Sequence, residues 1–164
     1  MTTRSWIILD CDAGFQPITD TSTTQQHAIG TIVIAKHTTY GVAEFMYAKG
    51  VASTVVGDVC MIDTYANTTT RCVAATRGII GVAMSINVAN QYGWYQISGS
   101  AVVKAGTVAA QGLMYSTATA GTVDDAAVAG SYILGACFKT ADGTPAAGFA
   151  VAALSRPFMG GTPT

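Results

Sequence analysis

The sequence predicts an all-β protein, and three features of its composition carry this prediction. The 164 residues include 27 Val and Ile but only four Leu and one Glu, and branched side chains pack better on a pleated strand than on a helix. Strong helix formers other than Ala are scarce. The chain also contains 18 glycines, which is typical of the frequent turns of a β fold.

The charge of the chain is low and nearly balanced. It has 8 Lys and Arg against 9 Asp and Glu, with a formal net charge of −1, whereas an average chain of this length carries about 41 charged residues. This balance excludes an electrostatic nucleic-acid binder, which needs a basic excess. A mean hydropathy of +0.40 excludes a disordered chain. No apolar stretch approaches the roughly 18 residues of a membrane span, so we expect no membrane partner.

The chain divides into three predicted parts: an extended arm over residues 1–27, a β-domain over 28–155 and an irregular tail over 156–164. The arm begins with an apolar run, Trp6 to Leu9, followed by a polar stretch without a clear period. Apolar side chains on such a segment need burial against the domain or against a neighbouring molecule. The tail contains Phe158 and Met159, whose apolar side chains need burial for the same reason.

Runs of β-branched and alternating residues predict about ten strands in the domain. The residues 80–88 alternate most regularly, with five apolar side chains separated by small or polar ones, so one face of this strand is expected inside. The residues 132–139 are apolar at almost every position, which predicts a central strand covered on both faces. Gly57 and Asp58 predict a turn or bulge within the third run. The predicted strands are 31–36, 41–49, 55–62, 71–75, 80–88, 94–104, 113–117, 121–124, 132–139 and 149–154.

The four cysteines do not form a metal-binding pattern. No two of them have the Cys-x-x-Cys spacing of a zinc site, and no targeting segment predicts an oxidising compartment. We therefore expect reduced thiols. Of the possible disulfides, Cys60 with Cys72 is the pair that a hairpin could bring together. The other two cysteines are Cys11 and Cys137.

Motifs of catalysis are missing from the sequence. There is no phosphate-binding glycine loop and no nucleophile elbow, and His27 and His37 lack the glutamate spacing of a metalloprotease helix. We therefore expect no enzyme activity, no metal and no cofactor. A hydrolase that uses Asp58, Asp63 or Asp124 stays open as an alternative, and it requires a deep cleft around carboxylates with perturbed pKa values.

One block of the sequence resembles a known family. The residues 81–85 and 91–99, flanked by 44–51, 119–125 and 156–159, resemble the central part of the capsid decoration (cement) or accessory head proteins of tailed bacteriophages. The resemblance covers about residues 25–160. It implies a small β-barrel or jelly-roll-like sandwich that assembles as a homotrimer or homodimer. Such a protein has no active site; it binds the outside of the head and bridges neighbouring major capsid proteins.

This reading predicts a virion protein that is made in the host cytoplasm and located on the capsid surface. The runs 80–88 and 94–104 are predicted to form a hairpin through the turn at 89–93. The alternative function is a receptor- or glycan-binding module of the virion, with Trp94 or Tyr95 of this hairpin as an aromatic platform. Neighbouring residues of a strand point to opposite faces, so one of Trp94 and Tyr95 is expected at the surface. The residues predicted to contact the capsid or a second subunit are Trp6, Ile7, Ile8, Leu9, Trp94, Tyr95, Phe158 and Met159.

Overall fold

A computed structural model describes residues 6–9 and 15–161, and within these residues the chain forms twelve β-strands and no α-helix. The all-β class predicted from the sequence is therefore confirmed. The strands are β1 Trp6–Ile8, β2 Ile32–His37, β3 Gly41–Lys49, β4 Val59–Asp63, β5 Thr68–Arg71, β6 Gly78–Ala83, β7 Tyr92–Gln96, β8 Ser98–Lys104, β9 Leu113–Ser116, β10 Val123–Asp124, β11 Tyr132–Phe138 and β12 Phe149–Gly161.

The strands form one branched antiparallel sheet. Its main path runs β1-β2-β3-β7-β6-β12-β11-β9-β10, the β4–β5 hairpin branches from β6, and β8 pairs with β12. The 13-residue strand β12 pairs with β11, β8 and β6. This one strand therefore connects the strands from β1 to β6 on one side of the path with β11, β9 and β10 on the other.

Alternating side chains of these strands fill three apolar clusters. On β3, Phe45 and Tyr47 enter one cluster and Met46 enters another, because successive residues of a strand point to opposite faces. The clusters are centred on Val82, Val103, Ile133, Phe138 and Met159; on Trp6, Val33, Phe45, Tyr47 and Trp94; and on Met46, Cys60, Ile62, Tyr95 and Ile97.

The N-terminal segment packs on the domain instead of extending from it. β1 pairs with β2, and Trp6 and Ile18 are buried in the cluster that contains Trp94. The described part of the predicted arm is thus a component of the core, since its apolar side chains complete that cluster. Residues 1–5 and 10–14 of the arm lie outside the described residues.

The predicted irregular tail is wrong for residues 156–161, which continue strand β12. Met159 lies opposite Ile133 of β11 and opposite Gly78 of β6, and it is fully buried. The segment is a strand because both of its sides find partners and its apolar side chain completes the core. The predicted boundary at residue 155 therefore falls inside one element.

The most regular strand pattern also ended earlier than predicted. β6 stops at Ala83, beyond which Ile86 and Val88 are exposed while Ser85 and Asn87 are buried. The Asn87 side-chain amide donates to the Tyr95 hydroxyl at 3.0 Å. The predicted alternation is therefore reversed beyond Ala83: the polar side chains point inward and the apolar ones point outward. A buried amide requires a hydrogen-bonding partner, and Tyr95 supplies it.

The predicted strand 94–104 is two strands with a break between them. Gly99 has a φ of +85°, and a Cβ atom there would lie 2.7 Å from the Val42 carbonyl oxygen. Only glycine fits such a close approach. The break lets β7 pair with β3 and β6 while β8 pairs with β12.

The prediction that β11 is covered on both faces is wrong. β11 is central in hydrogen bonding, between β9 and β12, but Leu134 is 61% exposed. Its partner across the strands, Phe158, is exposed as well. An apolar residue on a strand therefore indicated burial only where another element covers that face.

Cys60, Cys72 and Cys137 are free thiols. Burial raises the pKa of the Cys60 thiol, and the nearby Asp58 carboxylate adds to this shift. Burial also raises the pKa of Cys72. The Cys60–Cys72 disulfide is absent, so these two side chains act as small apolar core residues.

A buried carboxylate organises the junction between β4, β5 and β8. Asp58 is fully buried, and its oxygens accept hydrogen bonds from Arg71 Nε at 2.7 Å and from the Val55 amide at 3.0 Å. Lys104 Nζ lies 3.4 Å from the same carboxylate. The predicted turn at Gly57 and Asp58 is present, and its aspartate connects three parts of the chain.

We expect Asp58→Asn to lower the free energy of unfolding by about 3 kcal/mol, because removing one partner of a buried ion pair leaves the other charges poorly compensated. Chemical denaturation monitored by Trp fluorescence measures this loss. Glu44→Gln is the matched control, since it removes the carboxylate charge from the exposed ion pair with Arg156, and exposed pairs contribute little. Equal losses in the two variants would contradict the assigned role of Asp58.

Candidate docking surface

One face of the β1–β3 sheet is apolar and exposed to solvent. The side chains that form it alternate along the strands with those that fill the Trp94 cluster, so they point the opposite way. They are between 37% and 60% exposed. We call these residues the outer face of β1–β3: Ile7, Leu9, Ile32, Ile34 and Val42.

The strand register brings these side chains side by side. Lys36 of β2 lies opposite Ile7 on one side and opposite Val42 on the other. Leu9 is attached to β2 by its amide, which donates to the Ile34 carbonyl at 2.8 Å. The exposed apolar area is on the order of 400 Å², within the range in which the largest patch of a monomer is often functional.

The outer face carries little charge, and one of its charges is neutralised. Glu44 lies opposite Ile34 and accepts two hydrogen bonds from Arg156 of β12, both at 3.0 Å. These hydrogen bonds lower the pKa of Glu44, so the pair stays ionised and compensated. The Lys36 ammonium is then the remaining charge among the residues of this face.

A smaller apolar pair lies on the neighbouring strands β11 and β12. Leu134 and Phe158 face each other across these strands and are both about half exposed or more. Arg156, which reaches Glu44, belongs to the same strand as Phe158. The ion pair therefore connects the strand that carries Phe158 to the outer face of β1–β3.

The eight residues predicted as contacts separate into two groups. Ile7, Leu9 and Phe158 are exposed, and Ile8 is half-buried. The other four side chains belong to the core of the chain, so they cannot reach another molecule without unfolding. They are Trp6, Trp94, Tyr95 and Met159.

The expectation that one of Trp94 and Tyr95 faces solvent is wrong, since both rings are fully buried. Trp94 faces the N-terminal segment, where its indole N–H donates to the Gln16 carbonyl at 2.9 Å. The Tyr95 hydroxyl contacts the Thr69 hydroxyl at 3.2 Å as well as Asn87. Burial raises the pKa of Tyr95. Both faces of β7 are covered at this point, so the opposite orientation of the two side chains did not expose either ring to solvent.

Ile32, Ile34 and Val42 are surface residues that were not among the predicted contacts. The consecutive residues Ile32, Val33 and Ile34 place apolar side chains on both faces of β2, and nothing in the sequence indicates which face lacks a covering element. The one signal was the charge at Lys36 and Glu44, which share a face with these residues. Charges at alternate positions indicate the side that reaches solvent.

The three aspartates of the hydrolase alternative each have a structural partner. Asp58 is committed to Arg71, and the Asp63 carboxylate accepts the amides of the β4–β5 turn. Asp124 accepts the amide of Ala126. Across residues 6–9 and 15–161, no three His, Cys, Asp or Glu side chains lie close enough together to hold a metal ion.

Comparison with known proteins identifies no relative of this chain. No family model, no curated protein and no solved structure matches it. The resemblance to phage decoration proteins therefore stays a hypothesis. In the described part of the chain, no helix is both long and apolar enough to cross a membrane.

His27 holds the N-terminal segment against the buried aromatic cluster. Its Nε2 atom accepts the Gln16 amide at 3.1 Å, and its ring stacks on Phe15 at a centroid distance of 5.0 Å. The ring also lies against Tyr47 and Trp94. Burial lowers the pKa of His27 below its ordinary value of 6.5, in agreement with an unprotonated Nε2 that accepts a hydrogen bond.

We expect the stability of the protein to fall as the pH drops below about 6.5. A histidine whose pKa is lower in the folded state stabilises the fold fully above its unfolded pKa, and this contribution is lost as the pH falls through the folded pKa. Melting temperatures measured between neutral pH and pH 5 test this. In His27→Gln, an amide oxygen can accept the same hydrogen bond without titrating, so the dependence in this window should shrink. An unchanged pH dependence in the variant would remove His27 as its cause.

Proposed function

We propose that this chain is a capsid decoration (cement) protein of a tailed bacteriophage, which binds the outside of the head and stabilises the shell by bridging neighbouring major capsid proteins. The single observation that carries the proposal is the outer face of β1–β3. It places five exposed apolar side chains around the single Lys36 ammonium on a chain with only 17 charged residues, and exposed apolar patches mark sites of protein association.

The chemistry of this face suits a large protein surface more than a small molecule. Centres of protein interfaces are depleted in Lys, Glu and Asp, and Glu44 is already neutralised by Arg156. The face is built on paired strands, so docking requires little ordering of the backbone, and ordering is a main cost of binding. A repeating shell also presents many equivalent sites, so an oligomer bound at several of them gains from an effective concentration of about millimolar.

The N-terminal run contributes to this surface in a different way from the one predicted. We infer that Ile7 and Leu9 contact the shell while Trp6 and Ile8 attach β1 to the domain. Deleting residues 1–20 would remove Trp6 and Ile18 from the core. Truncation would therefore unfold part of the domain, and point substitutions on the outer face are the appropriate test.

We expect Val42→Lys to weaken binding to heads of a phage that encodes this chain at least about tenfold, because a second ammonium group opposite Lys36 would have to lose water in the contact. Co-sedimentation of purified protein with heads measures binding. Val88→Lys is the matched control: Val88 is 57% exposed against 60% for Val42, and it lies in the loop between β6 and β7.

The two variants and the wild type separate the outcomes. Loss of binding in Val42→Lys but not in Val88→Lys, with unchanged melting temperatures, supports the proposal. Absence of binding by the wild type would overturn the proposed function. Equal binding by all three proteins would exclude the outer face of β1–β3 as the contact.

A further inference from the structure

The turn between β4 and β5 projects one aromatic side chain into solvent. Tyr65 is 97% exposed, yet the backbone beneath it is held in place. The Asp63 carboxylate accepts the amides of Tyr65 and Ala66, both at 2.9 Å, and Asn67 completes the turn with a φ of +56°. The backbone of such a fixed turn loses little conformational entropy on binding, so the cost of ordering is confined to the side chain.

A recess of about 390 Å³ lies beside this tyrosine. One wall is the other half of the same turn, and the opposite wall belongs to the segment before β2 and to β7. The Tyr92 ring in this wall stacks on Tyr47, with an interplanar angle of 12°. The lining includes Gln25, Ala28, Lys49, Ala66, Asn67 and Tyr92.

The groups in the recess match those of a phenol ring. The Lys49 ammonium can lie over an aromatic face, and the Tyr92 ring offers an aromatic contact. The side-chain amides of Gln25 and Asn67 are hydrogen-bonding partners for a hydroxyl group. The residues 64–70 contain no charge, so two such turns can approach each other without repulsion between like charges on the turns themselves.

We propose that this turn is a self-association surface, at which two copies of the chain meet about a two-fold axis and Tyr65 of each copy enters the recess of the other. A projecting group placed next to a recess is the arrangement that a two-fold axis makes self-complementary, since each copy then supplies both parts. Tyr is also among the residues that carry most of the energy in protein interfaces.

This surface is separate from the outer face of β1–β3, so the inference goes beyond the proposed function. The hairpin lies at the C-terminal end of β3, where the Thr69 hydroxyl donates to the Lys49 carbonyl at 3.1 Å. Val42 is seven residues earlier on the same strand, which is roughly 24 Å away at the rise of a strand. In a pair joined at its turns, Val42 and the neighbouring part of the outer face therefore stay accessible, whereas Ile32, opposite Met46, lies nearer to the turn.

The contact is small, which determines the strength to expect. Two turns and two recesses bury less than the roughly 1,200 Å² of a standard interface, so we expect a reversible dimer with a dissociation constant in the micromolar range. Such a weak contact becomes effective once both copies are held close together on a larger assembly.

Sedimentation velocity of the purified chain over a wide concentration range tests the proposal without any phage component. We expect the wild type to form a dimer as the concentration rises. In Tyr65→Ala the dissociation constant should rise by at least about thirtyfold, whereas Tyr65→Phe, which keeps the ring, should retain most of the affinity. Ala66→Lys places a second ammonium beside Lys49 and should also weaken the dimer.

Phe158→Ala is the control, because it removes an exposed aromatic ring that belongs neither to the turn nor to the lining of the recess. A dimer that is lost in Tyr65→Ala and Ala66→Lys but kept in Phe158→Ala supports the inference. A wild type that stays monomeric, a trimer, or a dimer that is indifferent to Tyr65→Ala would overturn it. None of these results depends on binding to heads, so this inference can fail while the proposed function stands.

Discussion

The part of the sheet formed by β1, β2 and β3 has apolar side chains on both of its faces, and other elements of the chain cover one of these faces. Strands β1 to β3 direct Trp6, Phe45 and Tyr47 into a closed aromatic cluster. The same strands direct the aliphatic side chains of the outer face of β1–β3 into solvent on the other side. An exposed apolar face of this kind favours association, and the proposal of a shell-binding role depends on that constraint.

The aromatic cluster also explains why the N-terminal segment belongs to the domain. Trp94 needs a partner for its indole N–H when it is buried, and the carbonyl of Gln16 supplies it. His27 and Phe15 then complete the packing around the ring. The segment over residues 15–27 therefore covers the inner face, so the outer face of β1–β3 is the one available for a second molecule.

The predicted strands agree with the structure where a run of apolar or β-branched residues is bounded by marked turns. The range predicted for β3 matches the structure, and the ranges for β2, β9 and β11 agree within a residue or two. The prediction failed at 80–88 because the small Ser85 and the hydrogen-bonded Asn87 are buried there in place of the apolar side chains. Of the predicted contact residues, Ile7, Leu9 and Phe158 are at the surface, but Trp94 and Tyr95 are not. The turn that presents Tyr65 carried no sequence signal beyond its polar composition.

By itself, the sequence determined that the chain is a β protein with few charges, since β-branched content and glycine spacing are local properties of the residues. The local pattern also determined most strand positions. The tertiary structure alone decided which apolar faces are covered, because burial depends on what packs across a strand and not on the strand itself. It likewise decided that residues 156–161 complete the core and that Asp58 joins β4, β5 and β8, since both results depend on contacts between residues far apart in the chain.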